Sequence, residues 1–297
     1  MSDSRNTNPR GKPVAVVIGA TSKWQSDGPN TKLLHGTAVD DSDVPVGVRW
    51  GVGGAISQKF AQEGFFVVMT TRHAANAAAL ARAIEDRGGE GMIVEMDLTS
   101  RNSIATAFDR IRSGAGDPEV AIYNAGYMEG RTLPKEQELL EFFPVEMFDT
   151  ALQLAARAPF LVAKEVLPAM RNRQRGSLFF SNNMECLRGH KRYTGSSLYY
   201  PRVMMRSLAQ ALTEEYSEHG VHVANVIIDG SIDAPGVRAL ARQSAGDSTQ
   251  LTQPANLSRP LIDPTKIADA FFYLHTQHPS CWSHEIQLTP FQQKPAY

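Results

Sequence analysis

Short apolar runs alternate along this chain with longer stretches in which apolar residues recur every three or four positions. Continuous runs of four to eight residues are the signature of strands buried on both faces, and the longer period is that of helices buried on one side. The runs predict strands at Val14 to Ile18, Phe65 to Thr70, Gly91 to Glu95, Val120 to Tyr123, Ser177 to Ser181, Val221 to Ile228 and Glu285 to Leu288. Between them, Ile56 with Phe60, and Ile104 with Phe108 and Ile111, keep the i, i+4, i+7 spacing of helices with one buried stripe. Further helices are expected over Phe148 to Met170, over Tyr199 to Ser217 and from Pro264 onward. Strands alternating with helices predict an α/β fold: one doubly wound parallel sheet of about seven strands with helices on both faces. No internal repeat or shift of composition marks a second domain, so a single domain over 13–297 is expected behind a disordered tail of residues 1–12.

The first strand runs into Gly19-Ala-Thr21-Ser22, and a second glycine cluster, Gly51-Val52-Gly53, opens a helix about 28 residues later. Joined, they form a phosphate loop. The backbone must turn tightly there and approach a pyrophosphate, whose charge rests on the free N–H groups at the helix start. A strand before and an amphipathic helix after, ending at Gly64, are the context such a loop requires.

In these residues the chain resembles the short-chain dehydrogenase/reductase family from about Lys12 onward. The split Gly19…Gly51-x-Gly53 is similar to that family's Gly-x-x-x-Gly-x-Gly signature, interrupted by an insertion. Asp97-Leu98-Thr99 resembles its adenine-contacting segment, and Asn124-Ala125-Gly126 the motif beside the cofactor. Arg206 to Leu212 is similar to the long active-site helix. Asn225 to Gly230 resembles the turn beside the nicotinamide, with Asp229 where proline is usual. The resemblance implies a Rossmann-like domain with Gly19, Thr21, Ser22, Gly51, Val52, Gly53, Arg72, Asp97, Leu98, Asn124, Ala125, Gly126 and Gly230 around a nicotinamide dinucleotide.

The end of the second strand, Thr70-Thr71-Arg72, bears on which dinucleotide. A carboxylate there would accept hydrogen bonds from a ribose diol, whereas a cation pairs with a 2′-phosphate, so Arg72 favours NADP over NAD. The alternative for Arg72 is an ordinary solvated surface arginine.

At the catalytic positions the resemblance breaks down. The family usually carries asparagine, serine, and a Tyr-x-x-x-Lys pair in which tyrosine gives up a proton and lysine lowers its pKa. Registering this chain on that pattern places Ala155 at the asparagine, Asn183 at the serine, Leu198 at the tyrosine and Arg202 at the lysine. Asn183 can still donate a hydrogen bond to a carbonyl oxygen and Arg202 can still hold a ribose or an oxyanion, but neither releases a proton readily near neutral pH. Tyr199 and Tyr200 adjoin the vacant place and Tyr193 precedes the helix. Each is a candidate acid, with packing or a pocket wall as its alternative role. Asn183, Arg202, Tyr199 and Tyr193 are therefore the candidate catalytic residues.

Residues 23–50 form the insertion, a flap over the phosphates, an interface arm or a surface excursion. Residues from about 231 to 260 are polar and without period, the place of the family's substrate lid, where Val237, Leu240 and Leu251 offer apolar contact.

Composition narrows the classes of function. Thirty Lys and Arg against 31 Asp and Glu leave no basic field for nucleic acid or an anionic membrane. The longest unbroken apolar run, Phe65 to Met69, is far short of a membrane span. Cys186 and Cys281 stand alone, and neither the histidines nor the acids show metal-ligand spacing, so no disulfide and no metal are expected. The expectation is a cytoplasmic NADP(H)-dependent oxidoreductase that moves hydride to or from a carbonyl, imine or activated double bond of a small molecule. A silent dinucleotide sensor or scaffold, and a non-redox lyase or cyclase, are the alternatives. Apolar residues spread over a wide arc of the two long helices, Leu152, Phe160, Val166, Met204, Met205 and Leu208, predict a homodimer or homotetramer.

Overall fold

In the computed structural model, residues 11–20, 45–126, 139–189, 201–234, 237–238 and 260–296 are described. Seven strands form one sheet: β1 (Val14–Ile18), β2 (Phe66–Thr71), β3 (Glu90–Glu95), β4 (Val120–Tyr123), β5 (Gly176–Asn183), β6 (Val221–Ile228) and β7 (Glu285–Leu288). Their order is β3-β2-β1-β4-β5-β6-β7. Every pairing is parallel. The chain winds outward from β1 in one direction and returns to wind outward from β4 in the other, which opens a crevice where the order reverses.

All seven expected strands are present, within two residues of the expected ends. The largest shift is in β5, which continues through Asn182 and Asn183 because their backbones pair with Ile227 and Ile228 of β6. Polarity had argued for an end at Ser181, but ladder hydrogen bonds run through the backbone and ignore it.

Helices cover both faces. On one side lie α2 (Gly51–Gln62), α3 (Ala75–Glu85) and α8 (Pro264–Thr276), whose Ile56, Phe60, Leu80, Ile267 and Phe271 pack on Ala15, Val17, Val67 and Phe179 of the sheet. On the other lie α4 (Arg101–Gly114), α6 (Ala158–Arg173) and α7 (Pro201–Tyr216), whose Ile104, Phe108, Val162, Val166, Met205 and Ala209 pack on Val16, Ile18, Tyr123 and Phe180. Alternate residues of β1 thus serve opposite cores, as the two-residue period of a strand dictates. The fold has begun by Lys12, whose ammonium pairs with Glu90 at 3.0 Å.

The helix expected over Phe148 to Met170 is made in three parts: α5 (Val145–Leu152), a π turn (Gln153–Arg157) and α6. A π turn shifts the hydrogen-bond ladder by one residue and so releases backbone groups. Here Tyr123 answers it, since its buried hydroxyl donates to the carbonyl of Leu154.

Within the wide apolar arc of the two long helices, Val166 and Met205 lie on the face packed on the sheet, each at 0% exposure. Phe160 and Met204 do point outward, at 50% and 46%.

A short helix, α1 (Val46–Arg49), closes the insertion and delivers Trp50, which is buried over α2. A Cβ on Gly54 would come within 2.4 Å of Trp50 Cβ, so the absence of a side chain at Gly54 is what admits the indole. The remainder of the insertion lies outside the described residues.

Candidate functional site

Six strand ends line the crevice. Following the sheet across its carboxyl edge, one meets Asp97 and Leu98 after β3, Arg72 after β2, and Gly19 after β1 facing the start of α2. Asn124 to Gly126 follow β4, Asn183 closes β5, and Asp229 and Gly230 follow β6. Neighbouring strands are about 4.8 Å apart, so Arg72 and Gly230 stand on strands separated by about 19 Å.

The centre of this line is tightly built. Gly19 has φ +82°, the left-handed region, and a Cβ there would lie 2.8 Å from Ala125 Cα. A Cβ on Gly53 would lie 2.2 Å from the Gly19 carbonyl oxygen and 2.8 Å from Asn124 Nδ2. The ends of β1, β4 and α2 therefore meet backbone to backbone. Asn124 donates from its side-chain amide to the Gly19 carbonyl at 3.0 Å, which ties the two strands that flank the crevice. The first turn of α2 carries no acidic residue, so nothing negative competes for its N–H groups.

Toward β3 the roles expected from sequence are partly taken up by structure. Asp97 accepts from the backbone N–H and hydroxyl of Thr99 at 2.9 and 2.8 Å, and its own N–H donates to Ser103 Oγ. It shapes the turn that starts α4, where Ser100 is the N-cap. Arg72 is exposed and makes no ion pair among the described residues. One carboxylate lies nearby, Glu95 at the end of β3, and its Oε1 accepts the N–H of Ala74 at 2.7 Å.

Toward β5 lie Asn183 and Arg202, two of the candidate catalytic residues. Asn183 caps a short 3₁₀ turn, Met184–Cys186: its Oδ1 accepts the N–H of Glu185 and its Nδ2 donates to Glu185 Oε2 at 3.2 Å. Arg202, in the first turn of α7, donates from Nη1 to the Ser181 carbonyl at 3.3 Å. Its Nη2 covers Gly126, where a Cβ would sit only 2.8 Å away. Burial lowers the pKa of this guanidinium while Glu185 and Tyr123 pull it back up. The phenol of Tyr123 is raised by burial and stays protonated. Ala155 is buried within the π turn. Thr21, Ser22, Tyr193, Leu198, Tyr199 and Tyr200 lie outside the described residues.

Sequence reasoning passed over Glu185, Tyr123 and a polar cluster beneath them. Asn182 donates to Asn225 Oδ1 at 3.2 Å and to the Arg202 carbonyl, and Asn225 donates to Glu285 Oε2 at 3.0 Å. Glu285 in turn holds Arg206 through two bonds of 2.6 and 2.7 Å. Arg206 and Asn225 keep Glu285 ionised against its burial, so its pKa falls below the usual carboxylate range. Cys186 lies buried in the same cluster, its thiol pushed up to about 11 by burial, so it is neutral and inert. The only signal in the sequence was polarity at strand positions otherwise filled by Val, Ile and Phe.

Among the described residues no group of three or more His, Cys, Asp or Glu side chains is placed to hold a metal, and no helix is long and apolar enough to cross a membrane.

Comparison with known proteins agrees with this geometry. The family model described as Enoyl-(Acyl carrier protein) reductase matches residues 47–285. An uncharacterised oxidoreductase of Staphylococcus saprophyticus is 24% identical over 255 residues, 84% of this chain and 97% of its own. One from Bacillus subtilis is 24% identical over 213 residues, 72% of this chain and 74% of its own. A metagenomic short-chain oxidoreductase solved in complex with NADP superposes with a TM-score of 0.66 at 20% identity, covering 94% of this chain and 97% of that one. Seven parallel strands in this order, glycines packed at the first turn and a family match across most of the length lead to one assignment: the chain belongs to the short-chain dehydrogenase/reductase family.

Proposed function

We propose that the protein is an NADP(H)-dependent oxidoreductase that moves hydride to or from a carbonyl, imine or activated double bond of a small organic substrate. The observation that carries this reading is the carboxyl-edge crevice between β1 and β4, where Gly19, Gly53 and Asn124 bring the acid-free start of α2 against the strand ends. Such a helix start suits a pyrophosphate. The exposed guanidinium of Arg72 suits a 2′-phosphate, and the relative solved with NADP supports the same choice. When bound, the nicotinamide supplies or accepts hydride.

What the chain's own residues contribute at the other end is charge and orientation. Arg202 brings a fixed positive charge beside Gly126. Such a group favours an oxygen that gains negative charge as a carbonyl is reduced. Asn183 places a side-chain amide at the end of β5, where it also binds Glu185. Neither delivers a proton, so the proton comes from substrate, water, or one of Tyr193, Tyr199 and Tyr200.

The test is calorimetric titration with NADPH and NADH followed by a panel of carbonyl, imine and enone substrates. Tight NADPH binding with oxidation by at least one substrate is expected. NADPH binding with no oxidation across the panel, and no effect of Arg202→Ala beyond cofactor affinity, would support a catalytically silent dinucleotide sensor. That second reading draws on the engagement of Arg202 with the Ser181 carbonyl, which a purely structural role also explains.

A further inference from the structure

Asp229 is fully buried at the end of β6, in the position where proline is usual for the resembling family. Its carboxylate meets no cation among the described residues. Four donors reach it instead, one from β7 and three from the segment that follows it. Gln287 Nε2, Ala296 N–H and Thr289 Oγ1 donate to Oδ2 at 2.7, 2.9 and 3.2 Å, and Gln293 Nε2 donates to Oδ1 at 3.1 Å. Gln293 also reaches the Asp229 backbone carbonyl at 2.9 Å. A turn closed by the Gln293 N–H on the Pro290 carbonyl aims that side chain back toward β6. Satisfying a buried carboxylate entirely with neutral donors is costly unless every one is in place.

The same arrangement presses the segment on the next residue. A Cβ on Gly230 would come within 2.9 Å of Pro290 Cδ and 3.0 Å of Ile262 Cδ1. Ile262 is stitched to the chain leaving Gly230 by a parallel bridge to Ile232, with its N–H on the Ser231 carbonyl and its carbonyl accepting from Asp233. Gly230 is thus closely flanked by Pro290 and Ile262, and the arrangement closes through one carboxylate.

We infer that Asp229 is a positioning residue, a latch that holds residues 289–296 against Gly230 and thereby sets the wall against which the nicotinamide half of the dinucleotide rests. The second half of this statement rests on the proposed cofactor, whereas the latch itself does not. Asp229→Asn keeps the shape but places an NH₂ group where donors converge. Gln293→Ala removes one arm and leaves the carboxylate intact.

Two measurements on the full chain separate the parts. Without nucleotide, amide hydrogen exchange at Ala296 and at Gly230 to Asp233 is expected to quicken by about tenfold or more in both variants; unchanged exchange overturns the latch. With nucleotide, the variants are expected to bind NADPH about tenfold more weakly while binding adenosine 2′,5′-bisphosphate, which lacks the nicotinamide, as the parent does. Equal weakening of both, or of neither, overturns the positioning role. If the parent chain binds neither nucleotide, the NADP reading falls and exchange alone decides the latch. Should Asp229→Asn fail to fold, Gln293→Ala carries both measurements.

Discussion

The side-chain amide of Asn124 donates to the backbone carbonyl of Gly19 across 3.0 Å, joining two strand ends that are 105 residues apart in sequence. The bond spans the point where the sheet order reverses, so it holds the width of the crevice from which the proposed function follows. Gly53 completes the contact, since any side chain there would strike both partners.

Asn124→Ala is expected to cost about 1 kcal/mol of stability, the net worth of one partly buried hydrogen bond. Gly53→Ala should cost more, about 1–3 kcal/mol, because the obstructing atoms include backbone that cannot turn aside. Urea denaturation measures both, and NADPH titration should show Gly53→Ala to be the more damaging to binding.

Arg72 supplies the second test. NADPH is expected to bind more tightly than NADH, and Arg72→Ala should remove about 1–3 kcal/mol of that preference, as for a charge-assisted contact. Equal affinity of the parent for the two nucleotides would reject NADP as the cofactor. The Glu95 carboxylate, one strand away, is already held by the Ala74 N–H, and Glu95→Gln should leave the preference unchanged.

Turnover is the third. If Arg202 stabilises developing negative charge, Arg202→Ala should lower it by about 10²-fold to 10³-fold. Single Tyr→Phe changes at Tyr193, Tyr199 and Tyr200 then identify a protein acid, because each deletes only a hydroxyl. The double change Leu198→Tyr with Arg202→Lys should raise reductase activity in a silent protein and lower it in an enzyme adapted to its present residues.

Acid should weaken the fold through His275. Its ring is pushed down from 6.5 to about 4 by burial, with Arg175 adding to the shift, and it rests 5.3 Å from the Phe65 ring and 3.0 Å from Ser177 Oγ. The folded pKa lies below the unfolded one, so between these values the unfolded chain binds more protons and stability falls as pH falls. The loss amounts to at most about 3 kcal/mol across that window, less with solvent screening of the partly exposed ring. In His275→Phe the decline between pH 6.5 and 4 should be shallower. A decline of the same steepness, followed by thermal unfolding in a pH series, would clear His275 of the role.

Assembly is the last. Phe160 and Met204 stand 50% and 46% exposed on α6 and α7, and light scattering at micromolar concentration is expected to report a dimer or tetramer. Phe160→Glu combined with Met204→Glu should shift it toward monomer, since burying two charges at an interface is costly.

The strands were legible because a parallel sheet buries both faces and writes itself as unbroken runs such as Val14 to Ile18. Gly19 and Gly53 also stood out in the sequence, and the structure packs both too tightly for a side chain. What escaped was the polar interior. Asn182, Asn225 and Glu285 look like interruptions in apolar strands until their bonds to one another and to Arg206 are seen. The π turn escaped for a related reason: Gln153 to Arg157 are ordinary helix formers, and only Tyr123, 30 residues earlier than Gln153, betrays the released carbonyl of Leu154. On α6 and α7 an apolar arc this wide does not itself say which residues, like Val166 and Met205, the sheet claims and which, like Phe160 and Met204, it leaves outward.

The insertion after β1 has a consequence for engineering. Its two ends are anchored: the Ala20 N–H is held by the Thr70 carbonyl at 3.1 Å, and on the far side Trp50 is buried over Gly54 while Gly47 packs near Thr265. The closure entropy of a chain between such fixed points rises by only about 0.6 kcal/mol for each doubling of its length. Sequence inserted between these anchors, beyond Thr21 and Ser22, therefore adds little closure cost to the sheet. A peptide inserted there would start from the end of β1, the strand end that Asn124 ties to β4.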